Sequence, residues 1–70
     1  MLPTDLDRAL KLALRERVIT HMRKYQSTTI VHFHESVSDK NKRTLQTYLS
    51  VRYNYTTSLS ALGDKMYIYH

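Results

Sequence analysis

The stretch from Ser38 to Arg43 is the part of the chain whose residue types best suit the binding of a phosphate. It holds three cations, Lys40, Lys42 and Arg43, at a point where Ser38 can begin a helix. The start of a helix presents free backbone N–H groups and the positive end of the helix dipole, so added cations make it attractive to an anion. The alternative is an ordinary capped helix with a solvated first turn. We expect Lys40, Lys42 and Arg43 to contact phosphates.

Two histidines precede this stretch. His32 and His34 stand at i, i+2 in a run of β-branched and aromatic residues, so they share one face of a predicted strand. This spacing can chelate a metal, but a zinc site needs two further ligands, which His21, Glu35 or His70 would have to supply. We therefore expect no metal and no cofactor, and interpret the pair as protonatable groups beside a polyanion.

The six tyrosines of the chain lie mainly in its C-terminal half. Tyr67 and Tyr69 alternate with Met66 and Ile68, so a strand here places the two tyrosines on one face and the two apolar side chains on the other. Exposed tyrosines can stack on the bases of a single strand. The alternative is that the rings cover a sheet face or form a dimer contact.

Composition narrows the class of protein. Eleven Lys and Arg against six Asp and Glu give a formal net charge of +5, which favours nucleic acid, then an acidic protein surface, then anionic lipid. No cysteine is present, which excludes disulfides and thiolate metal sites. The chain has no Gly-rich phosphate loop and no His-Glu-x-x-His pattern, so we expect no enzymatic activity. Without a signal-peptide pattern or an apolar run of roughly 20 residues, we expect a cytoplasmic protein and no membrane partner.

Periodicity predicts the elements that position these residues. Apolar residues at helical spacing from Leu6 to Tyr25 predict one helix of about five turns that begins at Thr4. The run from Thr28 to Glu35 predicts a strand, with Val31 on the face opposite the histidines.

A second helix and a hairpin complete the prediction. The helix is capped by Ser38, carries an apolar stripe through Leu49 and ends at a left-handed Asn54. Two strands, 55–62 and 65–69, are joined by the two-residue turn Gly63-Asp64. Residues 1–70 then form a single small basic domain of the α+β class. Its order is α-β-α-β-β, with two helices packed on one face of a three-stranded sheet.

This order, with its basic second-helix start, resembles the R-three-H domain family, whose members are small α/β modules that bind single-stranded nucleic acid. In that family an arginine and a histidine, separated by three residues, lie at the second helix. Arg43 matches the arginine, whereas Thr47 stands at the position of the histidine and Asn54 where glycine is common. The competing fold is a truncated winged helix, but the roughly 20 residues between strand and hairpin leave little room for its helices.

The leading hypothesis is a small non-enzymatic nucleic-acid-binding protein that favours single strands of DNA or RNA. The alternative is a protein-interaction module, such as a small inhibitor or adaptor, monomeric or homodimeric, that docks through a tyrosine-rich face. A tyrosine face continuous with the basic cluster favours the first, and a separate apolar one favours the second. The candidate nucleic-acid-binding residues are Lys40, Lys42, Arg43, Arg52, Lys65, His32, His34, Tyr67 and Tyr69.

Overall fold

A four-stranded antiparallel sheet forms one layer of the protein and two helices form the other. The computed structural model describes residues 4–69. The elements are α1 (Thr4–Arg15), β1 (Ile19–Lys24), β2 (Thr28–Phe33), α2 (Asp39–Tyr53), β3 (Thr56–Leu59) and β4 (Lys65–Tyr69). The strands lie in the order β1-β2-β4-β3. The protein is of the α+β class, but the predicted three-stranded sheet is wrong because a further strand, β1, lies between α1 and β2. Neither helix in residues 4–69 is long and apolar enough to cross a membrane.

The extra strand exists because the first helix ends ten residues earlier than its apolar spacing predicts. Arg17 adopts a left-handed conformation with φ of 60°, and the N–H of Val18 donates to the carbonyl of Ala13 at 2.9 Å. These contacts form the Schellman closure, which usually places glycine at the left-handed position. The β-branched residues that follow favour a strand. Because arginine and not glycine occupies the left-handed position, the sequence does not predict this helix end.

Alternation along the two central strands separates the faces of the sheet as predicted. Val31 pairs with Met66 across β2 and β4, and both are fully buried, as are Thr29 and Ile68. The intervening His32 is only partly buried and points to the other side.

Both helices pack on the buried side of the sheet and complete a single core. Leu6, Leu10 and Ala13 of α1 contribute on one flank, and Leu49 of α2 contributes on the other. An apolar stripe on each helix can be removed from water only against this sheet face, which fixes the two-layer arrangement. The buried cluster consists of Leu6, Leu10, Ala13, Ile19, Val31, Phe33, Leu49, Met66 and Ile68.

The ends of α2 lie where the sequence predicts them. Ser38 accepts a hydrogen bond on its Oγ from the backbone N–H of Asn41 at 3.2 Å, which satisfies one free amide of the first turn. Asn54 closes the helix in the left-handed region, with φ of 59°, and donates its N–H to the carbonyl of Ser50.

The turn of the second hairpin differs from the predicted two-residue connection. β3 ends at Leu59, and the loop extends from Ser60 to Asp64. Ser60 holds this loop together: its carbonyl accepts from the N–H of Gly63 at 2.9 Å, and its hydroxyl donates to Asp64 Oδ1 at 2.8 Å. Gly63 has φ of 72°, a conformation that glycine adopts without strain. The shorter strand leaves Leu62 in the loop.

Truncation of the core should be costly at Leu49 and harmless two residues further along the same helix. Leu49 is fully buried, whereas Val51 is 80% exposed. We expect Leu49→Ala to lower the free energy of unfolding by roughly 2–5 kcal/mol and Val51→Ala to change it by less than about 0.5 kcal/mol. Urea denaturation of both variants measures the difference. Equal losses would show that α2 does not pack on the sheet through Leu49.

Candidate functional site

The side of the sheet opposite the helices is not covered by any element in residues 4–69, and we call it the open face. Its side chains fall in three rows that cross the strands, since residues paired in register lie side by side. The first row is His21, His32 and Lys65; the second is Arg23, Ile30, Tyr67 and Ser58; the third is Thr28, Tyr69 and Thr56.

The first row brings two histidine rings and a lysine together. The rings of His21 and His32 stack with their centroids 3.9 Å apart and their planes 18° from parallel. Lys65 pairs with His32 from the other side, on β4. A β-bulge between Ile19 and His21 shifts the register of β1, and this shift is what aligns His21 with His32.

Positive charge on the open face converges on His32. Burial lowers the pKa of His32 below its ordinary 6.5, and His21, Lys65 and Arg23 lower it further by repelling the imidazolium. Asp64 acts in the opposite direction and raises the pKa of this ring. Desolvation and like charge both disfavour the protonated ring, so a nearby anion is the partner that would relieve the repulsion.

The second and third rows add aromatic surface to this positive region. Tyr67 lies between Ile30 and Ser58, and Tyr69 follows at i, i+2 on the same strand, roughly 7 Å further along. The hydroxyl of Tyr69 is 3.2 Å from Ser58 Oγ, which ties the ring to β3, yet 45% of Tyr69 stays exposed. The open face therefore offers rings and cations on one surface.

The basic start of α2 lies in the other layer. The Lys42 side chain is only 13% exposed, and its Nζ lies 5.4 Å from the centre of the Phe33 ring and 3.8 Å from Asp39 Oδ1. Lys42 thus covers the edge of the core and is partly neutralised. Lys40 and Arg43 are solvent-exposed and line a shallow surface of α2, remote from the open face.

Two further candidates lie outside the three rows of the open face. Arg52 sits in the last turn of α2 and lines the groove between the helices. His34 follows the end of β2, and its Nδ1 is 2.7 Å from Ser36 Oγ and accepts from the Ser36 N–H at 3.1 Å. Of the predicted candidates, the structure brings together His32, Lys65, Tyr67 and Tyr69.

No group of three or more potential metal ligands is found among the residues that the structure describes. The ring of His21 stacks on the ring of His32, whereas the ring of His34 is hydrogen-bonded to Ser36. His70, one of the ligands considered from the sequence, lies outside the described residues.

Sequence reasoning missed Arg23 as a member of the site and considered His21 only as a possible metal ligand. Both lie on β1, which the apolar spacing assigned to a helix. The signal that could have found them is the β-branched run Val18-Ile19-Thr20, followed by alternating polar residues. Met22 fits either period, because it is four residues from Val18 and also lies on the inward side of β1.

Comparison with known proteins yields no match to any family model, curated protein or solved structure. The resemblance to the R-three-H domains stays a prediction, and β1 departs from the element order on which that resemblance rests. The interpretation of the site therefore depends on its own geometry.

Acid should destabilise the protein through His32. Because the pKa of His32 is lowered in the folded state, the unfolded chain binds the proton more readily. Stability is therefore undiminished above the unfolded pKa of 6.5, falls as the pH drops through that value, and levels off below the folded pKa. Urea denaturation of wild type and His32→Gln between pH 7.5 and 5 measures this effect.

We expect the difference in stability between pH 7.5 and 5 to shrink in His32→Gln and to persist in His34→Gln, which leaves the stacked pair in place. An undiminished difference in His32→Gln would contradict the assignment. The carboxylates of Asp7 and Asp64, whose pKa values are also lowered from 3.8, act only at more acidic pH.

Proposed function

We propose that the protein binds single-stranded nucleic acid on the open face of its sheet. The observation that carries this proposal is the presence of cations, the exposed Tyr69 and the partly buried Tyr67 on one uncovered sheet surface. Arg23 and Lys65 lie on the same face as Tyr67 and Tyr69. A four-stranded sheet with aromatic side chains on its free face is a common platform for unpaired bases.

The chemistry divides between two kinds of contact. Tyr67 and Tyr69 supply rings at a spacing of roughly 7 Å, on which successive bases can stack. Arg23 and Lys65 supply permanent charge to phosphates, and His32 adds charge when a nearby phosphate favours its protonated form. The net charge of +5 attracts a polyanion over longer distances.

A single strand fits the surface better than a duplex does. The open face spans four strands, about 15 Å across their axes. Within residues 4–69 it is a sheet surface on which no helix projects to enter a major groove. Bases in a duplex are stacked on one another and are not available to tyrosine rings, whereas those of a single strand are.

The phosphate contacts belong, in this proposal, to different residues from those that the sequence indicates. The cluster at the start of α2 and the tyrosines do not form one surface, but Arg23 supplies a cation beside the tyrosines. Lys65 and His32 are retained from the sequence prediction. We propose a non-enzymatic role in the cytoplasm, where a chain without cysteine needs no oxidising environment.

A second candidate function, that of a protein-interaction module, is favoured by the groove between the helices. Leu12 is 52% exposed and Tyr48 is 45% exposed, and Arg8, Arg15 and Arg52 line the same groove. Apolar surface with a basic border matches an acidic, partly apolar surface of a protein partner. If the chain binds no oligonucleotide at low salt, this candidate remains and the first one fails.

Two matched double variants locate the phosphate contacts. Arg23→Ala with Lys65→Ala removes two charges from the open face, and Lys40→Ala with Arg43→Ala removes two from α2. We expect the open-face pair to reduce the slope of log affinity against log salt by about 1.4, because each lost contact with a single strand releases about 0.7 fewer counterions. Fluorescence anisotropy with labelled single-stranded DNA and RNA gives the slopes. An equal or larger change of this slope in the α2 double variant would show that the phosphate contacts lie at the start of α2.

Tyrosine substitution tests base stacking separately from charge. We expect Tyr67→Ala to weaken binding of single strands by roughly 5- to 150-fold, which corresponds to about 1–3 kcal/mol per stacked base, and Tyr67→Phe to retain most of the affinity. Tyr48→Ala is the control, because Tyr48 offers a solvent-accessible ring but lies on α2 and not on the open face. Equal effects of Tyr67→Ala and Tyr48→Ala would contradict stacking on the open face.

A further inference from the structure

The two edges of the sheet are protected to different degrees. An exposed edge strand presents unpaired N–H and C=O groups that can pair with another chain, and proteins usually block it with charges or bulges. The β1 edge has both devices, since it carries a bulge after Ile19 and the charged residues Arg23 and Lys24. The ammonium of Lys24 is further held by Asp7 of α1 at 3.1 Å.

The β3 edge has none of these devices. Its sequence is Thr-Thr-Ser-Leu, and its register with β4 is regular throughout. No charged residue and no proline occur between Arg52 and Asp64. The strand is therefore a neutral, regular edge with no charged side chain of its own to repel another strand.

The hydrogen bonds of β4 determine which β3 groups face outward. The N–H of Ser60 donates to the carbonyl of Lys65 at 3.0 Å, so these two residues form a hydrogen-bonded pair. Such pairs alternate along an antiparallel ladder, so Ser58 also directs its backbone groups toward β4. The backbone N–H and C=O groups of Thr57 and Leu59 consequently point away from the sheet.

We propose that β3 of one copy pairs with β3 of a second copy, antiparallel, about a twofold axis at Ser58. In this register Thr57 lies opposite Leu59 of the second copy, and about four backbone hydrogen bonds join the two strands. The axis is perpendicular to the sheet, so the two open faces continue as one surface of an eight-stranded sheet. The helices of both copies lie together on the other side.

This dimer extends the proposed function. The dimer itself does not depend on nucleic-acid binding, and only its consequence for that binding rests on the proposed function. Two open faces on one side of a continuous sheet present two sets of tyrosines and cations to one strand of nucleic acid. The second set then binds at high effective concentration. The contact itself is small, so we expect a weak dimer that forms with rising protein concentration.

Sedimentation of the free protein tests the dimer without nucleic acid. We expect the weight-average mass to rise from the 8.3 kDa protomer toward twice that value as concentration increases to about 1 mM. Ser58→Lys places like charges opposite each other at the axis and should abolish the rise. Ser27→Lys, which adds the same charge at the exposed tip of the first hairpin, should not. A mass of 8.3 kDa at every concentration, or equal behaviour of the two variants, overturns the proposal.

Cross-linking tests the position of the axis. The chain has no cysteine, so Ser58→Cys introduces a single thiol. Opposed residues in a non-hydrogen-bonded pair have Cα atoms about 4.5 Å apart, a separation that a disulfide can bridge. Under mild oxidation Ser58→Cys should form a covalent dimer at least about tenfold faster than Ser27→Cys at the same concentration. Equal rates would place any dimer contact elsewhere. If the protein binds no oligonucleotide, the proposed function fails, but the expected results of sedimentation and of cross-linking stay the same.

Discussion

One buried sheet face is the constraint on which the rest of the structure depends. Val31 and Met66 pair across the central strands, and the apolar stripes of both helices can leave water only against this side. A chain of 70 residues has material for a single core, and most of the large aliphatic side chains in residues 4–69 pack there. The other side of the sheet is not needed for this packing, and it carries the side chains that alternate with the buried ones.

This division explains why the proposed binding surface is a sheet face and not a cavity. Side chains alternate along each strand, so every residue buried in the core places its neighbour on the open face. Met66 and Ile68 thus fix Tyr67 in position, and the rigidity of the core orients the ring. The site is built on regular strands rather than loops, and its geometry follows from the ladder of the sheet.

The sequence predicted what local patterns determine and failed where two patterns compete. The cap at Ser38, the left-handed Asn54 and the alternation around Met66 are local signals, and the structure confirms all three. The end of α1 was not predicted because Arg17 occupies a position usually held by glycine. Because of that single error β1 was not predicted as a strand, and Arg23 was not predicted as part of the site. The pairing of His21 with His32 was also beyond prediction, because a bulge sets its register.

The cations of the protein serve two physical purposes, which local sequence does not separate. Lys42 looks like a phosphate ligand, yet its chain packs on Phe33 and its ammonium lies near Asp39, so its surroundings already stabilise it. On the open face the opposite holds: Arg23 and Lys65 both disfavour the protonated form of His32. Packing does not require such crowding of like charge, which, after burial, lowers the pKa of His32 further. A phosphate bound as proposed would convert that repulsion into attraction, which would give the unfavourable arrangement a physical reason to exist.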